Sequence, residues 1–152
     1  MFQKQEIIGF IKMCKIMSSY LTIYIRPAEG VEPIPLVHFT RSTEIYQAFE
    51  ERVHPAYIGI GDETHYTELT EALVDSVIQY LYMDLRNAEA RVLDYEKHAD
   101  GHIDVIEEIL HQHEYIDDLK YAIHQAEFIL DLVHTTEYPY SGVKRTILCN
   151  ID

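Results

Sequence analysis

The sequence has no long run of apolar side chains. Across its 152 residues the best stretch, residues 7–17, is broken by Lys12 and Lys15, whereas a membrane span needs roughly 18 or more uninterrupted apolar residues. The same stretch lacks a small-residue cleavage site behind a clean apolar core, so it makes a poor secretory signal and reads as a short amphipathic helix. A cytoplasmic setting is the expectation. Cysteine is equally scarce. Cys14 and Cys149 stand far apart, with neither a CxxC nor a Cys/His ligand spacing, which favours buried thiols over a disulfide or a zinc site. Glycine-rich phosphate loops are missing too. The one candidate, Gly59-Ile60-Gly61-Asp62, has no third glycine and no following Lys-Ser/Thr, so it reads as a connector.

Basic residues are few: 12 Lys and Arg against 26 Asp and Glu leave a net charge of −14. The imbalance is local. Residues 66–134 hold sixteen acidic and four basic side chains, a net of −12, and the rest of the chain holds ten and eight, a net of −2. Such a field repels nucleic-acid phosphates and anionic membrane surfaces, so direct binding to either is not expected, and it permits a basic protein partner.

A chain of this length, 47% hydrophobic, buries one sizeable core. The reading is one α+β domain over residues 1–152, in which residues 1–16 form a dispensable extension and residues 17–64 a β-β-α unit. Residues 67–134 form a helical hairpin and residues 145–151 a returning strand. From Tyr20 the pattern alternates, with Leu21, Ile23 and Ile25 on one face and Tyr20, Thr22 and Tyr24 on the other, the signature of a strand ending at Arg26-Pro27. Residues 28–35, with Gly30, Pro33 and Pro35, read as a loop, and residues 36–40 as a second strand of a hairpin. Ser42 or Thr43 caps a helix through Arg52, whose buried stripe is Ile45, Ala48, Phe49 and Val53.

The second half carries the clearest signal. Val74, Ile78, Leu81, Leu85, Ala88, Val92, Tyr95 and Ala99 recur at spacings that alternate between four and three, which is a helix seam over about residues 67–98. After Asp100-Gly101 a second seam runs Val105, Ile109, Gln112, Ile116, Leu119, Ile123, Ala126, Leu130 and Val133. Glycine closes a helix in the left-handed conformation, and so short a break forces the two helices to fold back antiparallel, with Ala88 opposite Gln112 and Leu85 near Ile116. Glu68 and Glu71 in the first turn of one helix, and Asp104, Glu107 and Glu108 near the start of the other, suit the helix dipoles. Leu69, Leu73 and Val77, with Phe128, Ile129 and Leu132, widen the apolar face at the end that packs on the sheet. The expected architecture is thus a small antiparallel sheet, made of the N-terminal hairpin and the C-terminal strand, with a short helix and a long antiparallel helical hairpin.

Three sets of residues are candidates for function. Leu93, Ile106 and Leu110 lie off the seam near the hairpin tip, and apolar residues left over by one seam meet another surface, which points to a homodimer or another protein partner. His98 and His102 are four apart, with Glu96 and Asp100 nearby, a metal-clamp spacing on a continuous helix. Gly101 between them interrupts that geometry, so no metal and no cofactor is expected. His38-Phe39-Thr40 and His134-Thr135-Thr136 are two His-x-Thr triplets that resemble those of the two-histidine phosphoesterases. There the imidazoles exchange protons and the hydroxyls hold phosphate, so the resemblance makes His38, Thr40, His134 and Thr136 an alternative catalytic set. His134 departs from that pattern, since it falls on a helix where the family has a strand.

Residues 17–26 (MSSYLTIYIR) and the run EKHADGHIDVIEEILHQHEYIDDLKYAIHQAEFIL resemble small uncharacterised accessory proteins of bacteriophages and prophages. The resemblance spans most of the chain after Met17 and carries no site residues. It implies a non-enzymatic protein that acts by binding or as a structural part, in the host cytoplasm or in the virion. The concentration of acid on the arm leaves one further alternative, a DNA mimic that occupies the phosphate groove of a host nuclease.

Overall fold

The computed structural model describes residues 20–53, 66–98, 103–137 and 142–152. The extension of residues 1–16 with Cys14, the Gly59–Gly61 connector, and Ala99, Asp100, Gly101 and His102 lie outside those residues. In chain order the elements are β1 (Tyr20–Arg26), β2 (Ile34–Thr40), α1 (Glu44–Arg52), β3 (Thr67–Glu68), α2 (Glu71–Lys97), α3 (Ile103–Glu137) and β4 (Thr146–Ile151). This is the expected α+β fold. The four strands form one antiparallel sheet in the order β2-β1-β4-β3. The returning strand therefore joins the N-terminal hairpin, inserting between β1 and β3.

Side-chain alternation explains the two layers. Leu21 and Ile23 on β1 are buried, and their register partners Ile151 and Cys149 on β4 share the core with them. Leu148, one residue out of phase, is also fully buried but faces the other side of the sheet, where it pairs with Tyr24 and Glu68. β2 begins at Ile34, two residues before the expected strand, and so includes Pro35. A proline is tolerated in an edge strand or at a bulge, and both conditions hold: among the described residues β2 ends the sheet, and the register slips between Ile23 and Tyr24, which pair with Val37 and Pro35. Gly30 takes the positive φ of 77° that the preceding turn requires.

Thr43 caps α1 as expected, its hydroxyl accepting from the Tyr46 N–H at 3.4 Å. Ile45, Ala48, Phe49 and Val53 are buried against the sheet and the hairpin, and Tyr46 joins them. The Tyr46 hydroxyl donates to the main-chain oxygen of Asp152 at 2.6 Å, tying α1 to the end of β4.

The hairpin differs from expectation at its start. Thr67 and Glu68 are strand, paired with Cys149 and Leu148, and the helix begins only at Glu71 behind a Thr70 N-cap that accepts from the Leu73 N–H at 3.2 Å. Backbone pairing to β4, reinforced by a Leu69 N–H bond to the Ile147 carbonyl at 2.8 Å, outweighs the helical periodicity there. Glu68 consequently lies outside the helix, and Glu71 alone occupies the first turn as an acid. Leu69 and Val74, at the positions of a hydrophobic staple, are both buried.

Both seams are otherwise where the spacing puts them. Val74, Ile78, Leu81, Leu85, Ala88 and Val92 on α2, and Ile116, Leu119, Ile123, Ala126 and Val133 on α3, are buried along the packed length of the antiparallel pair. Gln112, the polar member of the seam, is half-buried and satisfied: its side-chain oxygen accepts from Arg91 Nε at 3.3 Å and its amide donates to Glu108 at 3.1 Å. Arg91 is within one turn of Ala88, so the register is close to that expected. At 1.5 Å per residue the 27 residues of α2 and 35 of α3 extend about 40 and 52 Å. Ala122 and Ile129 form a second buried face of α3, alongside α1 and the sheet. Phe128 does not join it. Expected to pack on the sheet, it is instead an exposed side chain. Among the described residues no helix is long and apolar enough to cross a membrane.

Candidate functional site

Exposed apolar side chains run along the outside of α3 and onto the adjoining end of α2. At its tip end, Leu93 is 60% exposed, Ile103 72%, Ile106 47% and Leu110 60%. The three residues expected to lie off the seam are exposed, and so is Ile103, about one turn before Ile106. The stripe continues past the tip: Tyr121 and Phe128 are 66% and 60% exposed. Residues 103, 110, 121 and 128 are spaced seven, eleven and seven apart, which at 3.6 residues per turn keeps them within about 20° of one line. That line runs on the side of α3 turned away from α2. Spacing of this kind was readable from the residues, but Glu114 and Asp117 interrupt it and mask the signal.

Acids flank the stripe. Glu107, Glu114 and Asp117 are all exposed on α3. The helices are cross-tied by polar side chains at the margins of the seam. Tyr115 donates to Asp84 Oδ2 at 3.1 Å, Tyr82 to Glu127 Oε1 at 3.4 Å, and His134 meets Glu71. Burial, with the negative charge of Asp84 beside it, pushes the Tyr115 hydroxyl up to about 12. Where α1 meets the hairpin, burial raises the Glu44 carboxyl above its ordinary range, with Asp118 and Asp84 adding to the shift.

The histidine candidates are dispersed. His98 is the C-cap of α2, its Nδ1 lying 2.9 Å from the Asp94 carbonyl oxygen and 3.6 Å from the Asp94 carboxylate. His102 lies outside the described residues, among which no group of three or more His, Cys, Asp or Glu side chains gathers as a metal set. His38 and His134 are not brought together. On β2, Val37 and Phe39 line a groove with the α3 residues His124, Gln125 and Phe128, so they face the helices. His38 alternates to the far face, where its ring meets that of Tyr20 edge-on at 5.1 Å. His134, in contrast, is on α3 in the helical layer. The hydroxyls are engaged locally: Thr136 donates to the Val133 carbonyl at 2.8 Å, and Thr40 shares a 3.0 Å bond with Ser42. Thr136 does line a cleft of about 350 Å³ at the hairpin base with Lys144 and Arg145, on the helical side of the sheet and away from His38.

Comparison with protein-family models, with curated proteins and with solved structures finds no match to this chain.

Proposed function

We propose that the chain is a non-enzymatic accessory protein that binds another protein through the outer, acidic face of its helical hairpin. The carrying observation is the exposed cluster of Leu93, Ile103, Ile106 and Leu110 on an arm whose net charge is −12. Apolar side chains grouped on one surface are the anchors of protein interfaces, and a surrounding rim of one charge selects a partner of the other. The fitting partner presents apolar side chains bordered by Lys and Arg. A second acidic arm is a poor match for the same reason. The resemblance of residues 17–26 and of the hairpin to phage and prophage accessory proteins supports a role of this kind in a particle or on a host factor.

The test is capture from a host lysate with the parent chain and with Leu110→Asp, at low and at raised salt. A basic protein retained by the parent at low salt, released by salt and missing from the variant is the expected result. The same set of proteins on both baits at both salt concentrations would show that the hairpin face selects nothing.

A further inference from the structure

β2 forms one edge of the sheet. Among the described residues it ends the sheet, and its seven residues, IPLVHFT, include no Asp, Glu, Lys or Arg. Proteins ordinarily blunt such an edge with charge, proline or a bulge. Here Pro35 and the adjoining slip in register blunt only the first half. From Val37 to Thr40 none of the described residues guards it.

Hydrogen bonding fixes which peptide groups point outward. The Asp152 N–H donates to the Tyr20 carbonyl at 3.0 Å, so the peptide groups of Tyr20 face β4. Alternation then turns those of Leu21 and Ile23 toward β2, where they meet Phe39 and Val37. The N–H and C=O of His38, between those two, therefore point away from the sheet.

We infer that a second copy of this chain pairs with this edge, β2 to β2, antiparallel about a two-fold axis at His38. In that register each His38 exchanges two main-chain hydrogen bonds with its counterpart. On the helical side Val37 of each copy lies across from Phe39 of the other. The groove those residues form with Phe128, about 310 Å³ and lined without a single acid, is then closed by the same residues of the other copy. Charge decides in favour of a copy at this edge and against one at the hairpin tip. Identical molecules bring identical charge to a two-fold contact, and the part of the chain outside the hairpin carries −2 where the hairpin carries −12. The sheet becomes continuous across the axis, and the hairpin faces stay free for the basic partner. This contact goes beyond the hairpin reading and stands without it.

Sedimentation of the full chain, His38→Pro, Leu36→Lys and Leu110→Asp tests it, with circular dichroism confirming that each variant folds. Proline at position 38 removes the outward N–H and no bond to β1, and Leu36 is an exposed side chain. The parent and Leu110→Asp are expected to be dimers, and the two β2 variants to dissociate about tenfold or more readily. In a Cys14→Ser background, mild oxidation of His38→Cys is expected to give a disulfide-linked dimer. Hydrogen-bonded antiparallel pairs hold their Cα atoms about 5.5 Å apart, inside the range a disulfide spans. A monomeric parent overturns the inference, as does a dimer that both β2 variants leave intact. Dissociation by Leu110→Asp alone would move the contact to the hairpin tip.

Discussion

Leu119 and Leu110 lie nine residues apart on α3, about half a turn around the helix after whole turns are removed. One is fully buried in the seam and the other 60% exposed on the outer stripe. The same truncation should therefore have opposite consequences. Leu119→Ala deletes atoms that water never touches and leaves a cavity that the packed partners on α2 fill only partly. For such sites the loss is about 3 to 5 kcal/mol. Leu110→Ala removes a side chain already in water, and alanine is the better helix former, so the change should stay within about 0.5 kcal/mol. Urea unfolding followed by circular dichroism separates them: at a slope of about 2 kcal/mol/M the Leu119→Ala midpoint falls by about 2 M and the other hardly moves. The measurement should be made at a fixed protein concentration, since dimer formation adds to apparent stability. Equal losses at the two positions would refute the assignment of inner and outer faces, and with it the case for a binding stripe.

Four further outcomes follow from local features. Thr70→Ala removes the cap that receives the Leu73 N–H and should cost about 1 kcal/mol in thermal or urea unfolding, localised at the hairpin base. Burial pushes the Cys149 thiol up to about 12 from an ordinary 9.0. At pH 8 only about one part in 10⁴ is then thiolate, and a Cys14→Ser variant should react with a thiol reagent only after denaturant is added. Because the neutral thiol is favoured in the fold, its stabilising contribution is complete below the unfolded pKa and is lost as pH rises toward 12, with Tyr115 acting in the same direction. A urea midpoint that holds steady from pH 9 to 12 would contradict this. The raised Glu44 carboxyl obeys the same sign: folding is favoured when it is protonated and is penalised as pH rises through its folded pKa. Glu44→Gln is accordingly expected to raise the melting temperature at pH 7 and to have no effect near pH 3, where the carboxyl is already neutral.

How much was legible depended on whether a residue's role was encoded in its neighbours along the chain. The hairpin was, because Val74 to Val92 and Ile116 to Val133 repeat at helical spacing, and packing selects what that repeat offers. β1 and α1 were readable on similar grounds, through alternation in one and a Thr43 cap with a four-residue apolar stripe in the other. β3 was not. Two residues cannot show a period, and Thr67 and Glu68 are strand only because β4 arrives beside them from 80 and more residues away. The face of β2 that carries His38 was equally hidden: alternation separates His38 from Val37 and Phe39, but only the packing of α3 tells which set looks toward the helices. Phe128 is the converse case. Its spacing fits a buried position at the broad end of the hairpin, and Val37 and Phe39 beside it leave a groove where a packed core was expected.

The position of β4 sets the order in which this molecule can assemble itself. Residues of α2 and α3 meet after closing only a short turn, so the hairpin can gather early and nearly on its own. The sheet has no such shortcut. β1 acquires its second neighbour only when a strand 120 to 130 residues downstream arrives, and among the described residues β3 pairs with that strand alone. Once closed, the acidic arm holds Thr67–Glu68 and Thr146–Ile151 at the same end of the molecule, and the last strand is the keystone set between β1 and β3.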